Sequence, residues 1–159
     1  MKSLSEIASE ATKANVRLSV NTNALARVSG ATIDGLFQTP LLALTILVVA
    51  RDRRSGLPTT DLATWTLGTL VKHFEALRIA RGRIQWSGLL RRRCADALVF
   101  LENVGLASVR ETPFRTVHIS ANGRAFVLNL IRGAGEEGVL VRQLHRAHRA
   151  VQQGGLELL

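Results

Sequence analysis

The stretch WSGLLRRRCADALVFLENVGLASVRETPFRTVHISANGRAFVLNLI, Trp86 to Ile131, decides the fold. It opens with an amphipathic segment that carries Arg91, Arg92 and Arg93 and ends at Val104-Gly105-Leu106. Leu90, Cys94, Ala97, Leu98 and Leu101 recur at helical spacing, which predicts a helix from about Ser87 to Asn103. At about 100° per residue, Arg92 points almost opposite that stripe, and Arg91 and Arg93 flank it. Val99 and Phe100 add apolar surface to the second half. The first turns are therefore expected to project, and the carboxy-terminal half to be buried on several sides. Gly105 is a natural C-cap. Leu106–Arg110 and Arg115–Ile119 then read as two strands, because Val117 and Ile119 alternate with Thr116 and His118. Glu111-Thr112-Pro113-Phe114 makes a tight connection between them. Ser120 caps a further helix with Phe126, Val127, Leu130 and Ile131 on its inner face.

Upstream, Thr39-Pro40 starts a helix that is apolar almost all round from Leu41 to Ala50, so it belongs at the centre of a core. Arg53-Arg54-Ser55-Gly56 ends it. Thr59 or Thr60 caps a second helix, read from Asp61 as far as Arg78, with Leu67, Leu70, Val71, Phe74 and Leu77 in register. A basic connector from Ile79 to Gln85 contains Arg81 and Arg83. Residues 1–38 read as an N-terminal arm, with a short helix over Ser3–Asn15 and turn signals at Asn21-Thr22-Asn23 and Ser29-Gly30. Downstream, Gly133-Ala134-Gly135 reads as a flexible joint before a terminal helix, Glu136–Gln153. Along that helix Leu140, Leu144, Ala147 and Val151 make a narrow apolar seam suited to pairing with a second helix. The expected organisation is an arm (1–38), a central domain (39–131) and a C-terminal helix and tail (132–159).

Composition narrows the class. With 159 residues and 47% hydrophobic content, the chain can build one ordinary core. Aromatic residues make up only 4%, which argues against stacked single-stranded bases as the main ligand. The formal charge is +9, carried almost wholly by Arg; Lys occurs only as Lys2, Lys13 and Lys72. A GC-rich genome accounts for part of the Arg excess and less well for the net charge, so polyanions or acidic protein surfaces are the expected partners. A lone cysteine, Cys94, excludes an internal disulfide and a thiolate metal cluster. The apolar run Leu41–Ala50 is about half of the ~20 residues needed to cross a bilayer, and the amino terminus lacks an apolar signal core. A soluble cytoplasmic protein that could associate with the nucleoid is expected.

Two patterns carry a resemblance. Leu101-Glu102-Asn103-Val104-Gly105-Leu106, a hairpin, and then Ser120-Ala121-Asn122-Gly123-Arg124 resemble the winged helix-turn-helix superfamily over roughly residues 39–131. The resemblance implies a mainly α fold with a small β-hairpin (α+β). It also implies a recognition helix whose first turns enter the major groove of double-stranded DNA. The long second helix and connector depart from the ordinary regulators of this superfamily and look more like its elaborated subunits in DNA-acting machines. Size, element order and the charged third helix are also similar to the middle components of three-component ABC-type ATPase defence systems. These accompany a chromosome-structural-maintenance-like ATPase.

Arg91, Arg92 and Arg93 are the leading DNA-contact candidates, as phosphate or guanine partners. A solvated basic face or contact with an acidic subunit would account for the same residues. Arg110 and Arg115 flank the wing tip, and Arg81 and Arg83 extend the basic surface. Two functions follow. A non-enzymatic accessory subunit of a DNA-acting complex would use Val99 and Phe100 for protein contacts. A dimeric transcriptional regulator would pair through Leu140, Leu144 and Val151. His145 and His148 have helical spacing for one metal but no third ligand, and are read as solvated helix residues. The carboxylates Asp61, Glu75, Asp96 and Glu102 are scattered, and no phosphate-binding glycine loop is present, so no enzyme activity, cofactor or small-molecule substrate is expected.

Overall fold

The computed structural model describes residues 39–74 and 88–154. The arm, the connector with Arg81 and Arg83, and the last five residues lie outside the described residues. In chain order the described elements are α1 (Thr39–Arg51), β1 (Leu57–Pro58), α2 (Thr59–His73), α3 (Gly88–Asn103), β2 (Ala107–Arg110), β3 (Thr116–Ile119), α4 (Ala121–Arg132) and α5 (Glu136–Gly154). The protein is mainly helical with a small three-stranded antiparallel sheet, an α+β arrangement.

The central helix is α1. Every residue from Leu41 to Ala50 is buried, and α2, α3, α5 and β3 all pack on it. A helix that is apolar all round is stable only if it is covered on all sides, and each buried Leu, Ile or Val contributes roughly 1.5–3 kcal/mol by leaving water. The one hydroxyl in the run, on Thr45, is satisfied by donating to the Leu41 carbonyl at 2.8 Å.

The α1–α2 connection holds a strand that the sequence reading missed. Leu57 pairs with Val117 and Pro58 with Thr116, so β3 is the middle strand in the order β1-β3-β2. Two residues are too few to show alternation, and Pro58 argues against a strand unless it lies on an edge, as it does here. Pro58 is also the N-cap of α2, with no side-chain cap, in place of the expected Thr59 or Thr60. Thr59 is occupied elsewhere: its backbone N–H and its Oγ1 both donate to the Arg115 carbonyl, at 3.0 and 3.4 Å. Helix α2 closes at His73, and Phe74 is an extended C-cap. The expected continuation to Arg78, including Leu77, lies outside the described residues.

The end of α3 and the start of α4 form one unit. Leu106 N–H donates to the Leu101 carbonyl at 2.9 Å and Gly105 N–H to the Glu102 carbonyl at 3.0 Å, while Gly105 has a φ of +74°. These are the two bonds of a Schellman ending, which requires the left-handed conformation that glycine adopts without a Cβ penalty. Ser120 then caps α4 by accepting from Gly123 N–H at 3.0 Å, and its hydroxyl donates to the Gly105 carbonyl at 2.6 Å. A Cβ on Gly123 would run into the Leu106 carbonyl. The two sequence patterns are therefore two sides of a single backbone contact.

Helix α5 corrects the expected seam. Leu140, Leu144 and Val151 are buried at 5%, 0% and 4% exposure, and α5 packs on α1, α2 and α4 of its own chain. Leu140 and Leu144 belong to the main core. The narrow apolar stripe found partners within the chain, so it is not available as a surface for a second copy. The Gly133–Gly135 joint is also pinned: Arg142 Nη1 donates to the Ile131 and Gly133 carbonyls at 2.7 and 2.9 Å, capping the end of α4.

Candidate nucleic-acid interface

Helix α3 presents two faces. Leu90, Cys94, Ala97, Leu98 and Leu101 are buried, and Arg91 and Arg92 are exposed. Arg93 is half-buried and engaged, so the triplet divides into two exposed cations and one that is partly covered. The buried-on-several-sides expectation for the second half fails at Val99, which is 53% exposed; Phe100 packs partly against the core. Beside this flank lies a groove of about 460 Å³ lined by residues of α2 and α3.

That groove organises the site. Its lining includes Leu62 and Leu67 from α2, Leu90 and Val99 from α3, and the two cations Arg91 and Arg115. The structure thus brings together an arginine from α3 and an arginine from the hairpin, which lie 24 positions apart by their residue numbers. The hairpin is held there by a defined register: Ala107 faces Ile119, Ser108 faces His118, Val109 faces Val117 and Arg110 faces Thr116. Val117 and Ile119 point inward and anchor it to the core. Glu102 on α3 accepts from Val109 N–H at 3.1 Å, a second tie between helix and hairpin. Arg110 and Arg115 are both exposed. Arg115 lies 3.4 Å from the Glu111 carboxylate, with side chains 63% and 70% exposed, so this pair is weak and its Arg is accessible. Burial first and the Arg110 charge second lower the pKa of His118, so the field of Arg110 reaches the outward face of β3. Arg81 and Arg83 lie outside the described residues.

The chemistry of this surface is that of charge and shape. Cys94 is buried, and burial pushes its thiol up to about 12 against a weaker opposing hydrogen bond from Thr66, so it is held as a neutral thiol. Among the described residues no group of three or more His, Cys, Asp or Glu side chains is placed to hold a metal ion. No helix among them is long and apolar enough to cross a membrane.

A second polar cluster is structural. His148, read from sequence as solvated, is fully buried. Its ring meets Trp65 edge-on at 5.8 Å, and the Arg53 guanidinium lies 4.3 Å over the other ring of that contact, Trp65. Nearby, His145 lies 3.6 Å from the Asp52 carboxylate. Thr69 Oγ1 donates to the Trp65 carbonyl at 3.0 Å, so its contact with His148 Nδ1 at 3.3 Å is one in which the imidazole N–H donates. The Nε2 atom is then a bare, buried lone pair without a partner. Helical spacing alone could not reveal this, because the partner residues come from α2 and the loop between α1 and β1.

Phe114 is the residue the sequence reading passed over. It sits at the hairpin tip with 76% exposure. Its signal was an aromatic placed in a turn between two arginines, in a chain with few aromatics. No family model matches the chain, and no curated protein or solved structure shows significant similarity to it.

Proposed function

We propose that this chain is a non-enzymatic winged-helix module that binds double-stranded DNA through the first turns of α3 and the β2–β3 hairpin. The observation that carries the reading is the convergence of exposed Arg91 and Arg115 on one groove, with Arg92 and Arg110 exposed on the same two elements. Helices that present arginines from their first turns, beside an antiparallel ribbon, fit the major groove with a flanking backbone or minor-groove contact. The order of α3, the β2–β3 hairpin and α4 supports that reading. The role we favour is an accessory subunit of a DNA-acting assembly built around a chromosome-structural-maintenance-like ATPase, with exposed Val99 as part of the subunit contact. The competing regulator reading needs a dimer contact, and the seam expected to supply it is inside the chain's own core.

The test is duplex binding by the full chain as a function of salt. Each phosphate contact contributes about 0.9 to the slope of log K against log salt. Replacing Arg91 and Arg92 together by Ala should reduce that slope by about 1–2. An unchanged slope and affinity removes α3 from the interface. Co-purification with the products of neighbouring genes tests the subunit role; a homodimer that recovers no second chain overturns it.

A further inference from the structure

We propose that Phe114 is an aromatic wedge that inserts into the base stack of duplex DNA from the minor groove. The inference rests on the DNA-binding reading above and adds to it a specific contact and a distortion of the ligand. Among the described residues Phe114 is the most exposed large apolar side chain, at 76%, against 53% for Val99 and 48% for Leu89. A ring held in water at that exposure gains nothing for the fold, so its stabilising contact lies elsewhere.

Its surroundings favour a nucleic acid over a protein pocket. A protein anchor residue normally lies at the centre of a desolvated apolar patch. Around Phe114, the loop residues Glu111, Thr112, Pro113 and Arg115 are all exposed, and Arg110 is exposed at the end of the preceding strand. One aromatic between two guanidinium groups is the combination used by minor-groove proteins: cations hold the phosphates or the groove floor while an apolar side chain separates a base step.

The mount is also suitable. The Arg115 carbonyl, immediately after the ring, accepts from both Thr59 N–H and Thr59 Oγ1, at 3.0 and 3.4 Å. Glu111 and Arg115 approach to 3.4 Å across the base of the loop. The loop is thereby tied to the first turn of α2, and β3 behind it is anchored by buried Val117 and Ile119. A ring on a braced loop loses less freedom on insertion than one on a free tail. The Glu111 carboxylate repels phosphate and offsets one of the two arginines, which places the favourable energy of this loop on the ring.

The experiment uses the full chain, short duplexes carrying the fluorescent base 2-aminopurine at TA steps, which unstack most readily, and the variants Phe114→Ala, Phe114→Trp and Arg92→Ala. Wild type should raise the 2-aminopurine emission on binding. Phe114→Ala should lose that rise and bind roughly ten- to a hundredfold more weakly, with its salt slope unchanged. Phe114→Trp should keep both the rise and the affinity. Arg92→Ala should weaken binding and lower the salt slope but retain the rise at saturation. If Phe114→Ala binds as wild type does, with the same emission change, the wedge is overturned while DNA binding stands. If wild type binds the duplex without any emission change, the wedge is likewise overturned. If wild type fails to bind any duplex at low salt, the wedge and the DNA-binding reading fall together.

Discussion

Acid should weaken this protein through one imidazole. His148 is fully buried, its Nδ1–H is spent on Thr69, and its Nε2 faces no partner. Protonating Nε2 places an unpaired N–H and a positive charge in the interior. Burial therefore pushes the His148 pKa down from 6.5 to about 4; the Asp52 carboxylate opposes that shift, and Arg53 and His145 add to it. In the unfolded chain the same group titrates near 6.5. Between those values the unfolded state binds a proton that the folded state refuses, so stability falls as pH falls through the window. Above the upper value the contribution is flat, and below the lower one both states are protonated. At about 1.4 kcal/mol per pH unit, the full window corresponds to roughly 3 kcal/mol, a large part of the stability of a small domain. Urea unfolding of wild type and His148→Leu, followed by circular dichroism from about pH 7.5 to about pH 4, isolates this effect because the carboxylates are common to both chains. Wild type should lose roughly 3 kcal/mol more than the variant across the window. Equal losses in the two chains would refute the buried neutral imidazole.

Four further outcomes follow from the packing. Ser120→Ala removes the α4 cap and the 2.6 Å bond to the Gly105 carbonyl, and should cost roughly 1–3 kcal/mol, read as a lower Tm. Gly123→Ala drives a methyl against the Leu106 carbonyl and should destabilise by about 1–3 kcal/mol in the same assay; a neutral result would mean that α4 does not approach Leu106 as described. Leu144→Ala should cost roughly 2–5 kcal/mol while leaving the molecular mass from light scattering unchanged; a halved mass at full stability would return α5 to the surface. The Cys94 thiol should resist thiol reagents at neutral pH and react only when urea unfolds the chain, whereas rapid labelling of the native protein would show that it is accessible.

Much of this architecture could be read along the chain, and the failures share a cause. The stripe Leu90, Cys94, Ala97, Leu98 and Leu101 names the buried face of α3, because helix periodicity is a local property. The same reasoning places Arg92 outside, Leu41–Ala50 at the centre, and Gly105 and Ser120 at their helix ends, since caps and left-handed turns depend on the residue itself. An apolar stripe, however, states only that it needs a partner. Leu140, Leu144 and Val151 had a spacing that suits a second chain as well as the chain's own α1 and α2, and packing chose the latter. His148 looked solvated because Thr69, Trp65 and Asp52, which surround or face it, are remote in sequence.

The sequence by itself determined the core helices α1, α3 and α4, the endings at Gly105 and Ser120, the hairpin and the outward direction of Arg91 and Arg92, because each depends on neighbours within a few residues. Only the tertiary structure decided that β1 joins the sheet, that α5 closes the core, that Arg91 and Arg115 share a groove, and that Phe114 projects unsupported. Those facts depend on which surfaces exclude water from each other, and burial between distant segments leaves no local periodicity to read.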